Sequence, residues 1–119
     1  MLFTHDLQVT YAGGVTALKP TTLAFGEGEF TVLLGASGAG KSTLLRCLNG
    51  LVRPTTGQVI SSAYGDIQSG RAPLRRHRAA TGIVFQQHYL IGRLTALANV
   101  LLGRLGHHSA LRSVLPLPR

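Results

Sequence analysis

An α/β fold is predicted by three features of the amino-acid sequence. An apolar run, Phe30-Thr31-Val32-Leu33-Leu34, passes through the small residues Gly35-Ala36-Ser37-Gly38-Ala39-Gly40 into apolar positions at three- and four-residue spacing, Leu44, Leu45, Leu48, Leu51 and Val52. That is the order strand, glycine loop, helix. Short alternating or β-branched runs lie on both sides of this unit, and 119 residues with 45% apolar side chains are enough for one core. A mean hydropathy of +0.22 excludes an ordinary disordered chain, because burial can offset the entropy of ordering.

Leu7-Gln8-Val9-Thr10-Tyr11 alternates with period two, as a half-buried strand does, and Ala12-Gly13-Gly14 turns the chain. Thr21 to Phe25 is the next strand candidate, and Gly26-Glu27-Gly28-Glu29 connects it to the apolar run 30–34, which reads as a buried strand. The helix after Gly40 is expected to stop at Asn49-Gly50, with Pro54 beyond it. Gly57-Gln58-Val59-Ile60 and Tyr64-Gly65-Asp66-Ile67 read as short strands around a turn, Arg71 to Arg78 as a surface helix, and Gly82-Ile83-Val84-Phe85 as another core strand. Thr95 is placed to cap a final helix carrying Leu97, Ala98, Leu101 and Leu102, with Gly103 as its stop; the tail from His107 has no clean period.

Composition excludes several classes of function. One cysteine, Cys47, cannot form an internal disulfide, and Met1-Leu2-Phe3-Thr4-His5-Asp6 is no secretory leader, so a reducing, cytosolic setting is expected. Apolar stretches such as Val32 to Leu34 fall far short of the roughly 18 to 20 residues that cross a bilayer. The net charge of +8 is unevenly spread: the four acids, Asp6, Glu27, Glu29 and Asp66, all precede residue 67, and the later segment holds eight arginines. Any carboxylate chemistry therefore has to come from the first half.

Gly35-Ala36-Ser37-Gly38-Ala39-Gly40-Lys41-Ser42 has the spacing of a phosphate loop, residues 35–42: glycine, four residues, glycine, lysine, hydroxyl. Glycines let backbone N–H groups converge on phosphate without a Cβ in the way, and the following helix adds the positive end of its dipole. Lys41 supplies a full charge to the β- and γ-phosphates, Ser42 a hydroxyl oxygen for Mg²⁺, and Thr43 a further contact.

With that loop in place, Gly40-Lys41-Ser42-Thr43-Leu44-Leu45-Arg46, Asn49-Gly50-Leu51, Pro54-Thr55-Thr56-Gly57-Gln58-Val59 and Gly82-Ile83-Val84-Phe85-Gln86-Gln87 resemble the ATP-binding subunits of ABC transporters, in order and over nearly the whole chain. The resemblance implies a P-loop NTPase fold, specifically the N-terminal part of such an ATPase domain over residues 1–119. It implies ATP and Mg²⁺ as cofactors, bound by Tyr11, Gly35, Ser37, Gly38, Ala39, Gly40, Lys41, Ser42 and Thr43. In the family an aromatic at the Tyr11 position stacks on adenine, while Gln86 is the Q-loop glutamine, which touches Mg²⁺ or the attacking water and relays nucleotide state; Ser42 and Gln86 are thus the metal-side residues. Gln87 competes with Gln86 for that role, and Tyr11 also suits an ordinary tyrosine.

Phe85 to Leu94 followed by Asn99-Val100-Leu101-Leu102-Gly103-Arg104-Leu105-Gly106 looks most like phosphonate importer ATPases. The family's partners would be transmembrane permease subunits, a second ATPase subunit and, indirectly, a solute-binding protein, on the cytoplasmic face of the inner membrane. The sequence departs from the family in having no Leu-Ser-Gly-Gly-Gln signature, no Walker B strand ending in Asp-Glu, no D-loop and no switch histidine. Without the carboxylates of those motifs, the chain is expected to bind nucleotide and not to hydrolyse it.

Other features have plainer readings. Arg71-Ala72-Pro73-Leu74-Arg75-Arg76-His77-Arg78 has no interleaved aromatic, so it reads as a solvated face with an acidic complement elsewhere more than as a nucleic-acid grip. His107 and His108 have no third ligand near them, and Cys47 among leucines reads as a small buried hydrophobe. The alternatives left open are the ATPase of a phosphate or amino-acid importer, a basic nucleic-acid-binding remnant, and a remnant with no stable fold.

Overall fold

The computed structural model describes residues 1–86 and 90–103. Gln87 and the His107, His108 pair lie outside the described residues, as do Arg104, Arg112, Arg119 and the tail. The chain divides into two compact units, 1–81 and 82–119.

In the first unit β1 (Leu2–Thr10), β2 (Thr16–Phe25), β3 (Thr56–Ser61) and β4 (Gly65–Asp66) form an antiparallel sheet in the order β2-β1-β3-β4. β1 begins earlier than its alternation predicts because the pattern is interrupted. Asp6 takes a positive φ of 43°, and register shifts fall between Thr4 and Leu7, so two residues an odd number apart both turn inward. The buried Thr4 hydroxyl is satisfied there, donating to the Thr21 carbonyl at 3.1 Å and accepting from Leu23 N–H at 2.9 Å. β2 runs through Pro20, which a sheet tolerates at its edge, where β2 lies.

Helix α1 (Lys41–Leu48) turns Leu44 and Cys47, one turn apart, into a core made with Leu7, Val9, Leu18, Val59 and Ile67. Leu48 and Val52 flank that core, but Leu45 and Leu51 of the expected apolar face are exposed. Burial pushes the Cys47 thiol up to about 11, since a thiolate would lose its hydration. The raised value means that this group's contribution is intact below the ordinary thiol range and is lost as pH climbs from about 9 toward 11. Cys47 in the native chain is therefore expected to resist a thiol reagent at pH 8 and to react at once in denaturant; fast native labelling would contradict its burial.

Helix α2 (Arg71–Ala80) is less of a free surface than its arginines suggest. His77 is buried, its Nε2 lies 2.8 Å from the Leu48 carbonyl, and the Arg78 guanidinium donates to the carbonyls of Asn49 and Gly50. Those are carbonyls at the end of α1 that have no partner within the helix, so α2 closes α1 through its side chains.

The run 30–34 belongs to no ladder among the described residues, contrary to the expected buried strand. Leu33 packs on the core, whereas Phe30 is 93% and Leu34 89% exposed. A run that is apolar on both faces suits a parallel strand with cover on each side, and the described strands pair with one another instead. In the second unit, 82–85 likewise forms no ladder and Val84 is exposed. Helix α3 (Ala96–Leu102) starts as expected, Thr95 Oγ1 accepting from Ala98 N–H at 3.2 Å. Asn99 holds the preceding loop: Nδ2 donates to the Ile91, Leu94 and Thr95 carbonyls and Oδ1 accepts from Ile91 N–H.

Candidate functional site

The glycine loop leads directly into α1, with Gly40 as its N-cap at φ 86°. Its carbonyl accepts from Leu44 N–H at 2.8 Å, and a Cβ on Gly40 would stand 2.6 Å from the Ala17 carbonyl oxygen of β2. Loop, helix and sheet edge thus meet at a point where a side chain has no room. The loop is closed on itself by Ala39 N–H donating to Ala36 at 3.2 Å.

Lys41, the first residue of α1, reaches back across the loop. Its Nζ donates to the carbonyls of Gly35 and Ala36, each at 2.6 Å. An ammonium has three N–H donors, so two hold it in register and one is left for a ligand.

Tyr11 follows β1 and enters a turn closed by its own N–H on the Val15 carbonyl at 2.9 Å. The antiparallel pairing of β1 with β2 brings this turn beside the loop: Tyr11, Val15, Thr16, Ala17 and residues 37–43 line one cleft of about 450 Å³. Ser37, Gly38, Ala39, Gly40, Lys41, Ser42 and Thr43 thus share one cleft with Tyr11, which is half exposed. Gly35 lies behind them and takes part through its carbonyl. Gln86 belongs to the second unit, where it sits exposed in a bend after the extended run 82–85.

Val15, Thr16 and Ala17 are lining residues that the sequence does not single out; the pairing of β1 with β2 brings them there, and no local pattern marks them.

The electrostatics favour an anion. No carboxylate lines the cleft, α1 has no acid in its first turn, and the positive end of the helix and the Lys41 charge both point to the same space. All four acids are engaged elsewhere: Asp6 with Thr22, Glu27 with the Met1 ammonium, Glu29 with Gly26 N–H, and Asp66 with Gln68 N–H. The ammonium hydrogen bond, then its charge, holds the Glu27 carboxyl below the usual range. Among the described residues no group of three or more His, Cys, Asp or Glu could hold a metal ion, so Ser42 is the loop's own candidate oxygen ligand.

Comparison with known proteins agrees with this geometry. Over its 119 residues the chain is 58% identical to the phosphonates import ATP-binding protein PhnC 3 of Nostoc sp., covering 100% of this chain and 45% of that protein. It is 63% identical over 113 residues to the phosphite import ATP-binding protein PxtA of Stutzerimonas stutzeri, covering 95% of this chain and 40% of that protein. The chain thus spans less than half the length of these relatives. The ATP-binding cassette MJ0796 bound to ADP and Pi superposes with a TM-score of 0.78 at 38% identity, over 87% of this chain and 46% of that one. Residues 18–115 match the family model described as ABC transporter, and the chain belongs to the ABC transporter ATPase family.

Proposed function

We propose that the chain is the nucleotide-gripping part of an ATP-binding subunit that serves an importer of phosphonate or a related phosphorus oxyanion. The observation that carries the nucleotide half of this reading is the shared cleft, lined by an aromatic residue, Tyr11, and by a phosphate loop whose lysine is pinned in place. A base stacks on the ring while the phosphates lie against the N–H groups of 37–43 and the remaining Lys41 donor. Gly40, where a Cβ would collide with β2, lets the loop pack directly on the sheet edge. Mg²⁺, when bound, would be held on the loop side by the Ser42 hydroxyl and would supply charge to neutralise the phosphates.

The solute class rests on the relatives' names alone, because the ATPase residues never meet the solute. No relative named above is a nucleic-acid binder, and none of the four acids lines the cleft to act as base for water. The proposed partners are transmembrane permease subunits, a second ATPase subunit and, indirectly, a solute-binding protein, at the cytoplasmic face of the membrane. Support comes from the second unit, whose Leu90, Leu97 and Val100 are about 70% exposed around Asn99, and from the fact that no described helix is long and apolar enough to cross the bilayer itself.

The test is calorimetry of the 119-residue chain with ATP and Mg²⁺, alongside a phosphate-release assay. One nucleotide should bind per chain, with release at the uncatalysed rate. A chain that ignores ATP would remove the reading, and steady turnover would overturn the expectation that the chain binds nucleotide without hydrolysing it.

A further inference from the structure

The segment after α1 and the start of α2 enclose a second cleft, of about 250 Å³, lined by Gly50, Arg53, Gln68, Gly70, Arg71 and Leu74. It shares no lining residue with the cleft of the phosphate loop. Its walls are fixed to each other by side chains: Gln68 Nε2 donates to the Val52 carbonyl at 3.2 Å, and Arg78 of α2 donates to the carbonyls of Asn49 and Gly50. Leu74 lies over Gly50 and closes the space between them.

Two arginines from separate segments, Arg53 and Arg71, line this cleft, and both are exposed. Neither has a carboxylate partner: the ion pairs among the described residues are Met1 with Glu27 and His5 with Asp6. Asp66, the acid nearest to Arg71 in sequence, turns its Oδ1 to Gln68 N–H at 2.9 Å. Two like charges lining one cleft repel, and the clamped walls keep the segments that carry them together. An anion between them relieves that repulsion, and the guanidinium fork offers paired N–H donors to neighbouring oxygens of one oxyanion. Leu74 and the backbone of Gly50 and Gly70 leave no flat aromatic face for a base, so the volume suits a small ion with its waters and not a nucleotide.

We propose that Arg53 and Arg71 form a second anion site, independent of the phosphate loop, for a small tetrahedral oxyanion of the phosphate class. The site does not depend on the nucleotide reading, and the test separates the two. Inorganic phosphate is titrated into the Lys41→Ala chain at about 0.15 M salt, with binding followed by calorimetry and by phosphorus NMR line width. The Lys41→Ala chain should still take up one phosphate. Adding Arg53→Gln or Arg71→Gln should weaken that binding by roughly tenfold or more, the size of one hydrogen bond to a charged group. Arg53→Lys, which keeps the charge and loses the fork, should fall between; Arg76→Gln, on α2 outside the cleft, should change little.

A thermal transition recorded for each variant checks that it is folded, and both arginines are exposed, so the core is untouched. No phosphate uptake by the folded Lys41→Ala chain would overturn the proposal, as would equal weakening by Arg76→Gln, which would reduce the effect to net charge. Vesicles of phosphatidylglycerol separate the free ion from a lipid headgroup: sedimentation with them that is lost on neutralising Arg53 and Arg71, without phosphate uptake, would overturn the free-ion site.

Discussion

Lys41→Ala is expected to lower the affinity for ATP by on the order of a hundredfold, read by calorimetry on the 119-residue chain. Truncating one partner of a charged, hydrogen-bonded pair costs about 2–5 kcal/mol, and here the loss is double. The variant removes the charge that meets the phosphates and also the two 2.6 Å tethers that draw the carbonyls of Gly35 and Ala36 across the loop. Without the ammonium those carbonyl dipoles line a space meant for an anion. The loss should be as large for tripolyphosphate as for ATP and small for adenosine, because Lys41 belongs to the loop and Tyr11 to the β1–β2 turn. Equal losses for adenosine and tripolyphosphate would mean that the cleft as a whole had collapsed. An unchanged ATP affinity would sink the site assignment itself.

What could be read from the sequence was what depends on near neighbours. The phosphate loop, the start of α1 at Lys41, the β3–β4 turn and the Thr95 cap each rest on residues within a few positions of one another. What could not be read depends on partners far along the chain. The first residues of β1 include Thr4-His5-Asp6, polar and broken by the bulge at Asp6; only the ladders to β2 and β3 make them a strand. His77 looked like one more charge on a basic face, and its burial follows from where Leu48 ends, 29 residues earlier.

The converse error concerns the two apolar runs. Phe30-Thr31-Val32-Leu33-Leu34 has the composition of a buried strand, yet composition states only what a segment would bury if given neighbours. The described strands satisfy one another in the order β2-β1-β3-β4, and the run is left outside the sheet with Leu33 alone against the core. Within the site, Tyr11 and the loop are 24 residues apart between Tyr11 and Gly35, and it is the β1–β2 turn that brings them to one cleft. Spacing suggested that neighbourhood through family resemblance; the hairpin is its physical cause.

The sharpest test of how the loop is joined to the sheet is a comparison of two glycine variants. Gly38 (φ 80°) and Gly40 (φ 86°) both hold left-handed backbone, which costs an L-residue roughly 1–2 kcal/mol. They differ in what a methyl would meet: nothing within 4 Å at Gly38, but the Ala17 carbonyl oxygen at 2.6 Å and Leu18 Cδ1 at 3.2 Å at Gly40. Leu18 is a core residue and the oxygen is backbone, so neither can swing aside. Gly38→Ala should therefore lose about 1–2 kcal/mol, and Gly40→Ala should add an overpacking cost to reach roughly 2–5 kcal/mol, a large share of the about 5–15 kcal/mol that holds a domain folded. Urea unfolding would read both as shifts in midpoint. Relief at Gly40 requires α1 to move off β2, which carries Lys41 and Ser42 away from Thr16 and Ala17, so ATP affinity should fall further in Gly40→Ala than in Gly38→Ala. Equal destabilisation of the two variants would show that backbone strain alone governs the loop and that its contact with β2 contributes nothing.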